Sequence, residues 1–110
     1  MAKASQRKGR AGELELCRVL HEYGYDVQPG RPASFGAEPD LSGLPGIHVE
    51  VKRREQTDIA AALKQAAEDA RRFGDGLPVV FTRGNRQRWR VVMDLRDFME
   101  LYGRASNGRV

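Results

Sequence analysis

Four ionisable residues stand where a small domain usually places groups it can bury. In residues 37–55, AEPDLSGLPGIHVEVKRRE, Asp40 opens one short apolar run while Glu50 and Lys52 interrupt the next. Strand alternation sends Ile47, Val49 and Val51 to one face and His48, Glu50 and Lys52 to the other. The Pro45-Gly46 pair between the runs is a turn signal, so a hairpin carries Asp40 within reach of Glu50 and Lys52. Upstream, Leu16, Cys17 and Leu20 gather on one side of a helix, and Glu13 lies in the same arc, whereas Glu15 and Glu22 fall opposite.

An inward carboxylate is costly unless a cation or donor satisfies it, and three together repel. A hard divalent ion removes the conflict, because Mg²⁺, with Mn²⁺ as a substitute, takes carboxylate, water and phosphate oxygens. Glu13, Asp40 and Glu50 are therefore the candidate ligands. Lys52 beside them is placed to orient or help deprotonate an attacking water, or to stabilise negative charge developing on a phosphate. Each residue also has a plainer reading alone: Asp40 in a turn, Glu50 and Lys52 in a surface cross-strand pattern, Glu13 paired with an arginine. Only the four together favour a metal site.

The elements that must position these residues follow from local pattern. AGELELCRVLHEYG reads as a first helix that includes Tyr23 in its apolar spacing and stops at Gly24. YDVQ suggests a short strand, PGRPASFGAEP a flexible loop, and DLSGL with IHVEVK the hairpin. Thr57 or Asp58 caps an alanine-rich second helix that ends at Gly74. LPVVFTR is the continuous apolar run of a strand covered on both faces, followed by the strand RWRVVMDL and the short helix RDFMELYG. The order is α, three β, α, two β, α, which implies an α/β fold with a central mixed sheet flanked by helices.

With 110 residues, 40% hydrophobic and 31% charged, the chain has the size and composition of one globular domain. No apolar run reaches the length of a membrane span and no secretion signal is apparent, which points to the cytoplasm, or the host cytoplasm if the chain is phage-encoded. The single cysteine, Cys17, excludes an internal disulfide and a cysteine-cluster zinc site, and suits a small buried hydrophobe. The net charge of +4 resides in Lys3, Arg7, Lys8 and Arg10, since the remaining 15 basic residues match the 15 acidic ones. Residues 1–10 thus read as a basic arm suited to phosphate backbones, 11–103 as the folded domain and 104–110 as a flexible tail.

Pro39-Asp40, nine intervening residues and Glu50-Val51-Lys52 resemble the motif of the PD-(D/E)xK nuclease superfamily. That resemblance implies a restriction-endonuclease-like αβββαβ core with an acid on its first helix, where Glu13 stands. Within the superfamily, RKGRAGELELCRVLHEYGY is similar to the opening of archaeal and phage Holliday-junction resolvases. The likeness covers roughly residues 7 to 83. It implies Glu13, Asp40 and Glu50 as metal ligands, the Val51 backbone carbonyl as a further one, Lys52 as the catalytic lysine and Gln65 as a glutamine that follows it. It also implies a homodimer whose two sites each cut one strand of a four-way DNA junction. One departure is that the loops are less basic than in some resolvases.

Such an enzyme needs a phosphate-binding surface. The candidates are Arg7, Lys8 and Arg10 in the arm, Arg31 and Ser34 in the long loop, Arg53 and Arg54 after the motif, and Arg83 and Arg86 in or beside the turn TRGNRQR. The sequence thus leads to a Mg²⁺-dependent structure-specific endonuclease that hydrolyses phosphodiesters with metal-activated water, most specifically a Holliday-junction resolvase. The alternatives are another small phage-type nicking or flap nuclease of the superfamily, or a branched-DNA-binding module that does not cleave.

Overall fold

The computed structural model describes residues 2–31 and 37–108, with side chains from residue 9 onward. Its elements are α1 (Ala2–Glu22), β1 (Gln28–Pro29), β2 (Leu41–Ser42), β3 (Gly46–Arg53), α2 (Ile59–Phe73), β4 (Gly76–Arg83), β5 (Arg90–Val92) and α3 (Leu95–Ser106). This is the order implied by the local patterns. The strands form one sheet in the order β1-β2-β3-β4-β5.

Several boundaries differ from the sequence reading: β1 is Gln28–Pro29 rather than YDVQ, and β5 is only Arg90–Val92 within RWRVVMDL. The first helix starts at Ala2, not near Ala11, because residues 2–10 contain no proline and are mostly good helix formers. Tyr23 is not on its apolar face. It is 75% exposed and follows the last helical turn. At the other end α3 runs to Ser106, into the segment expected as a tail.

β2 pairs antiparallel with β1 and β3, with Leu41 opposite Val49, as the hairpin requires. β3 and β4 run parallel over eight residues, from Gly46 opposite Gly76 to Arg53 opposite Arg83. A parallel pair needs a crossover, and α2 supplies it. Asp58, not Thr57, caps α2: its carboxylate accepts the Ala61 N–H at 3.1 Å. Gly76 starts β4 with φ +140°, and a Cβ there would lie 2.5 Å from the backbone of Gly46 and Ile47. Only glycine lets the two strands begin side by side.

The sheet is covered on both faces. On one face, Leu16 and Cys17 of α1 pack with Val27, Leu41, Val49, Val79 and Phe81. On the other, Ala62 and Ala66 of α2 pack on Val80. These small side chains bring α2 close to β4, which explains its alanine-rich face. Trp89, just before β5 rather than in a strand, packs at the margin of the first cluster. Among the described residues no helix is long and apolar enough to cross a membrane.

Candidate active site

Glu50 lies in the middle of β3, and its register partner on β4 is Val80, so its side chain points to the α2 face of the sheet. There it is 6% exposed, not open to solvent. Lys52, two residues on, shares that face and holds its Nζ 3.6 Å from Glu50 Oε2. Asp40 immediately precedes β2. Continuing the Leu41-to-Val49 register by one residue sets Asp40 opposite Glu50. Its Oδ2 accepts the Val51 backbone N–H at 2.9 Å.

Glu13 arrives from the other layer. The approach depends on Gly12, which is buried against β3: a Cβ there would lie 2.5 Å from Arg53 Cβ. Without a side chain at that position α1 lies close on the sheet, and the next residue comes near Asp40 and Glu50. Burial pushes the Glu13 pKa up to about 7, helped by the charges of Asp40 and Glu50 and opposed by Arg10. Asp40 is raised to about 6, by burial first and then by Glu50, against the pull of the Val51 N–H and of Lys52. The three acids therefore feel one another, and Lys52 only partly compensates them.

Such a group fits a hard divalent ion, because its donors are all oxygens and its acids are strained by their own repulsion. Val51 adds a further oxygen to the same place. In a strand the N–H and C=O of one residue face the same neighbour, so its carbonyl points to the Asp40 side.

Around this centre the basic residues divide. Arg10 donates to the Gly30 carbonyl and sits near Glu13. Arg53 and Arg83, register partners at the ends of β3 and β4, both bind Glu15, the Arg53 contact measuring 3.1 Å. Burial alone would raise the Glu15 pKa, but these hydrogen bonds hold it below the usual carboxylate value. Arg31 pairs with Glu38 at 2.6 Å on the surface. Arg54 is exposed and lines a groove with Lys52, Thr57 and Gln65. Gln65 donates to Asp69 at 3.0 Å. Arg86 is exposed in the β4–β5 turn with φ 61°. Ser34 lies outside the described residues, as do the side chains of Arg7 and Lys8.

The sequence pattern did not single out three acids that matter here. Glu15 ties α1 to the sheet. Asp75 holds His48 Nδ1, with both carboxylate oxygens at 2.9 Å. Asp69 of α2 brings a carboxylate oxygen near His48 and Glu50. Burial disfavours the charged His48 ring, but the Glu50 and Asp75 carboxylates outweigh it and raise the pKa.

No protein-family model matches the chain. No curated protein matches it either. Among solved structures, the Holliday junction resolvase Hjc of the archaeal hyperthermophile Archaeoglobus fulgidus is similar, with 27% sequence identity and a TM-score of 0.56. The match covers 78% of this chain and 72% of Hjc. The two share a fold. The mixed five-stranded sheet with its helices is thus the restriction-endonuclease-like fold of Hjc, in agreement with the PD-(D/E)xK motif of residues 39–52.

Proposed function

We propose that this protein is a Mg²⁺-dependent DNA endonuclease of the Holliday-junction-resolvase type, acting as a cytoplasmic homodimer that places paired nicks in four-way junctions. The observation that carries this reading is the gathering of Glu13, Asp40 and Glu50 beside Lys52 at the central strand of an Hjc-like sheet.

Glu13, Asp40, Glu50 and the Val51 carbonyl would hold the ion, with Mn²⁺ as a substitute for Mg²⁺. When bound, the ion neutralises the acids, polarises the phosphate and lowers the pKa of the attacking water. The protein's own residues do the rest. The Val51 N–H fixes the Asp40 carboxylate, so the ligand does not have to be ordered when substrate arrives. Lys52 presents an ammonium beside Glu50, where it hydrogen-bonds the water or the negative charge that grows on the phosphate.

The groove lined by Lys52, Arg54, Thr57, Asp58 and Gln65 lies beside this centre, between the end of β3 and the first turns of α2, where Lys52 and Arg54 offer a phosphate two cations. Arg7, Lys8 and Arg10 on α1 and Arg31, Ser34 and Arg86 on the loops extend the phosphate-binding surface. Arg53 and Arg83 would serve it while bound to Glu15. A junction is recognised by shape and backbone, so this surface needs no base-reading side chains.

One end-labelled strand set, assembled as a four-way junction, a flap, a linear duplex and single-stranded DNA, tests the reading with Mg²⁺ or EDTA and with Asp40→Asn as control. Symmetric paired nicks confined to the junction, requiring metal and Asp40, are expected. Equal cutting of flap or duplex would instead mark a general structure-specific nuclease. Tight binding without cutting would mark a binding module.

A further inference from the structure

The His48 imidazole has a role in the fold that the proposed reaction does not use. It is 1% exposed and stacks on Phe73 of α2, with ring centroids 6.0 Å apart. The Asp75 carboxylate on Nδ1 makes that nitrogen the N–H donor. Nε2 is buried and has no hydrogen-bond partner among the described residues. Its nearest charged neighbour is Glu50 Oε1 at 3.7 Å, too long for a hydrogen bond.

Asp69 supplies the remaining group. One ligand atom each from His48, Glu50 and Asp69 lie within 4.8 Å of one another. The Asp69 carboxylate is itself held by Gln65 from the previous turn of α2. A carboxylate behind one ring nitrogen and an unpartnered, buried nitrogen in front is how proteins orient a metal-binding histidine. Two carboxylates and a neutral imidazole also balance the charge of a divalent ion.

We infer that His48 Nε2, Glu50 and Asp69 form a second cation site, on the α2 side of β3, that takes a transition-metal ion such as Zn²⁺, Co²⁺ or Mn²⁺ in preference to Mg²⁺. The imidazole sets the preference, since nitrogen donors suit these ions and oxygen-only sets suit Mg²⁺. Glu50 is shared between the two sites. Its Oε1 faces His48, and its Oε2 faces Lys52. The inference goes beyond the proposed nuclease activity and does not require DNA.

The test is a titration of the metal-stripped, full-length protein with Co²⁺ in excess Mg²⁺, followed by visible absorption and calorimetry. The expected result is one Co²⁺ per chain with the absorption bands of an imidazole-ligated ion, retained in Asp40→Asn. Asp69→Asn and Asp75→Asn should each weaken binding by about 10-fold to 100-fold, and His48→Gln should abolish it. Should His48→Gln fail to fold, Asp69→Asn still decides, because Asp69 is only partly buried on the helix surface. Displacement of Co²⁺ by Mg²⁺, unchanged affinity in the Asp69→Asn variant, or no Co²⁺ binding at all would overturn the inference. No nuclease assay enters, so its failure and that of the proposed function are separate results.

Discussion

The Asp40 carboxylate accepts the backbone N–H of Val51 at 2.9 Å, which ties the acid before β2 to the residue between Glu50 and Lys52. The bond stands in for a rung of the β2–β3 ladder beyond the Leu41–Val49 pair. It keeps two mutually repelling carboxylates opposite each other. An amide at position 40 retains an acceptor for the same N–H, so charge can be removed there while the geometry stays.

Asp40→Asn and Glu50→Gln should therefore each lower Mg²⁺-dependent cleavage by at least roughly 10²-fold to 10³-fold, the scale of losing one electrostatic stabiliser of a reacting centre. Binding of the junction, measured by gel shift, should persist. In EDTA the same variants should be as stable as the parent or more stable by about 0.5–2 kcal/mol, because repulsion is relieved. Unfolding of both would point to a structural role instead.

Lys52→Ala should reduce kcat by roughly 10²-fold to 10³-fold with little change in the Mg²⁺ concentration that half-saturates the enzyme. The ammonium touches Glu50 through one oxygen at 3.6 Å and is not itself a ligand. A variant rescued by raising Mg²⁺ would show that the lysine acts through metal affinity.

Metal-free protein should lose stability as pH rises. Glu13 goes from an ordinary 4.5 to about 7 and Asp40 from 3.8 to about 6, so both bind protons more tightly folded than unfolded. Their contribution is complete below the ordinary values and disappears as pH climbs through the raised ones. His48, also raised, changes in the same direction. Glu15 is lowered, so its contribution is present above the ordinary carboxylate pKa and is lost only on further acidification. Urea midpoints in EDTA should fall between about pH 5 and about pH 8, and Mg²⁺ should restore them at the upper end. A flat profile would count against the crowding of these acids.

Gly12→Ala should destabilise the fold by about 1–3 kcal/mol, since the new methyl group meets Arg53 Cβ and α1 must lift from β3. Cleavage should fall further than stability alone explains, because Glu13 moves with the helix. Thermal melts together with rates measured well below the transition separate the two effects. Equal activity per folded molecule would show that the close approach does not position Glu13.

Much of this centre was legible before any coordinates. A nine-residue spacing around Pro45-Gly46 encodes a hairpin register that sets Asp40 against Glu50, and helical periodicity turns Glu13 inward. The partners of His48 were not legible, because Asp75 lies 27 residues away and meets it only through the β3–β4 parallel register. That register is set by how α2 packs and by the Gly46–Gly76 approach, neither of which has a local signature. Glu15 was misleading for a related reason. One helix period puts it away from the apolar face, yet Arg53 and Arg83 reach it from paired strand ends. The start of α1 was missed because a run of charge suggested solvent-separated chain, whereas its residues favour helix.

The unbroken course of α1 gives the molecule a lever. From Ala2 to Glu22 the helix is a rod of roughly 30 Å without a proline, anchored on the sheet near Leu16 and bearing Glu13 close to that fulcrum. Its N-terminal part carries the basic residues Lys3, Arg7, Lys8 and Arg10. Gly12 seated on β3 and Arg10 bound to the Gly30 carbonyl fix the rod beside the Glu13 carboxylate, so any shift of α1 against the sheet carries Glu13 with it and changes its spacing from Asp40 and Glu50.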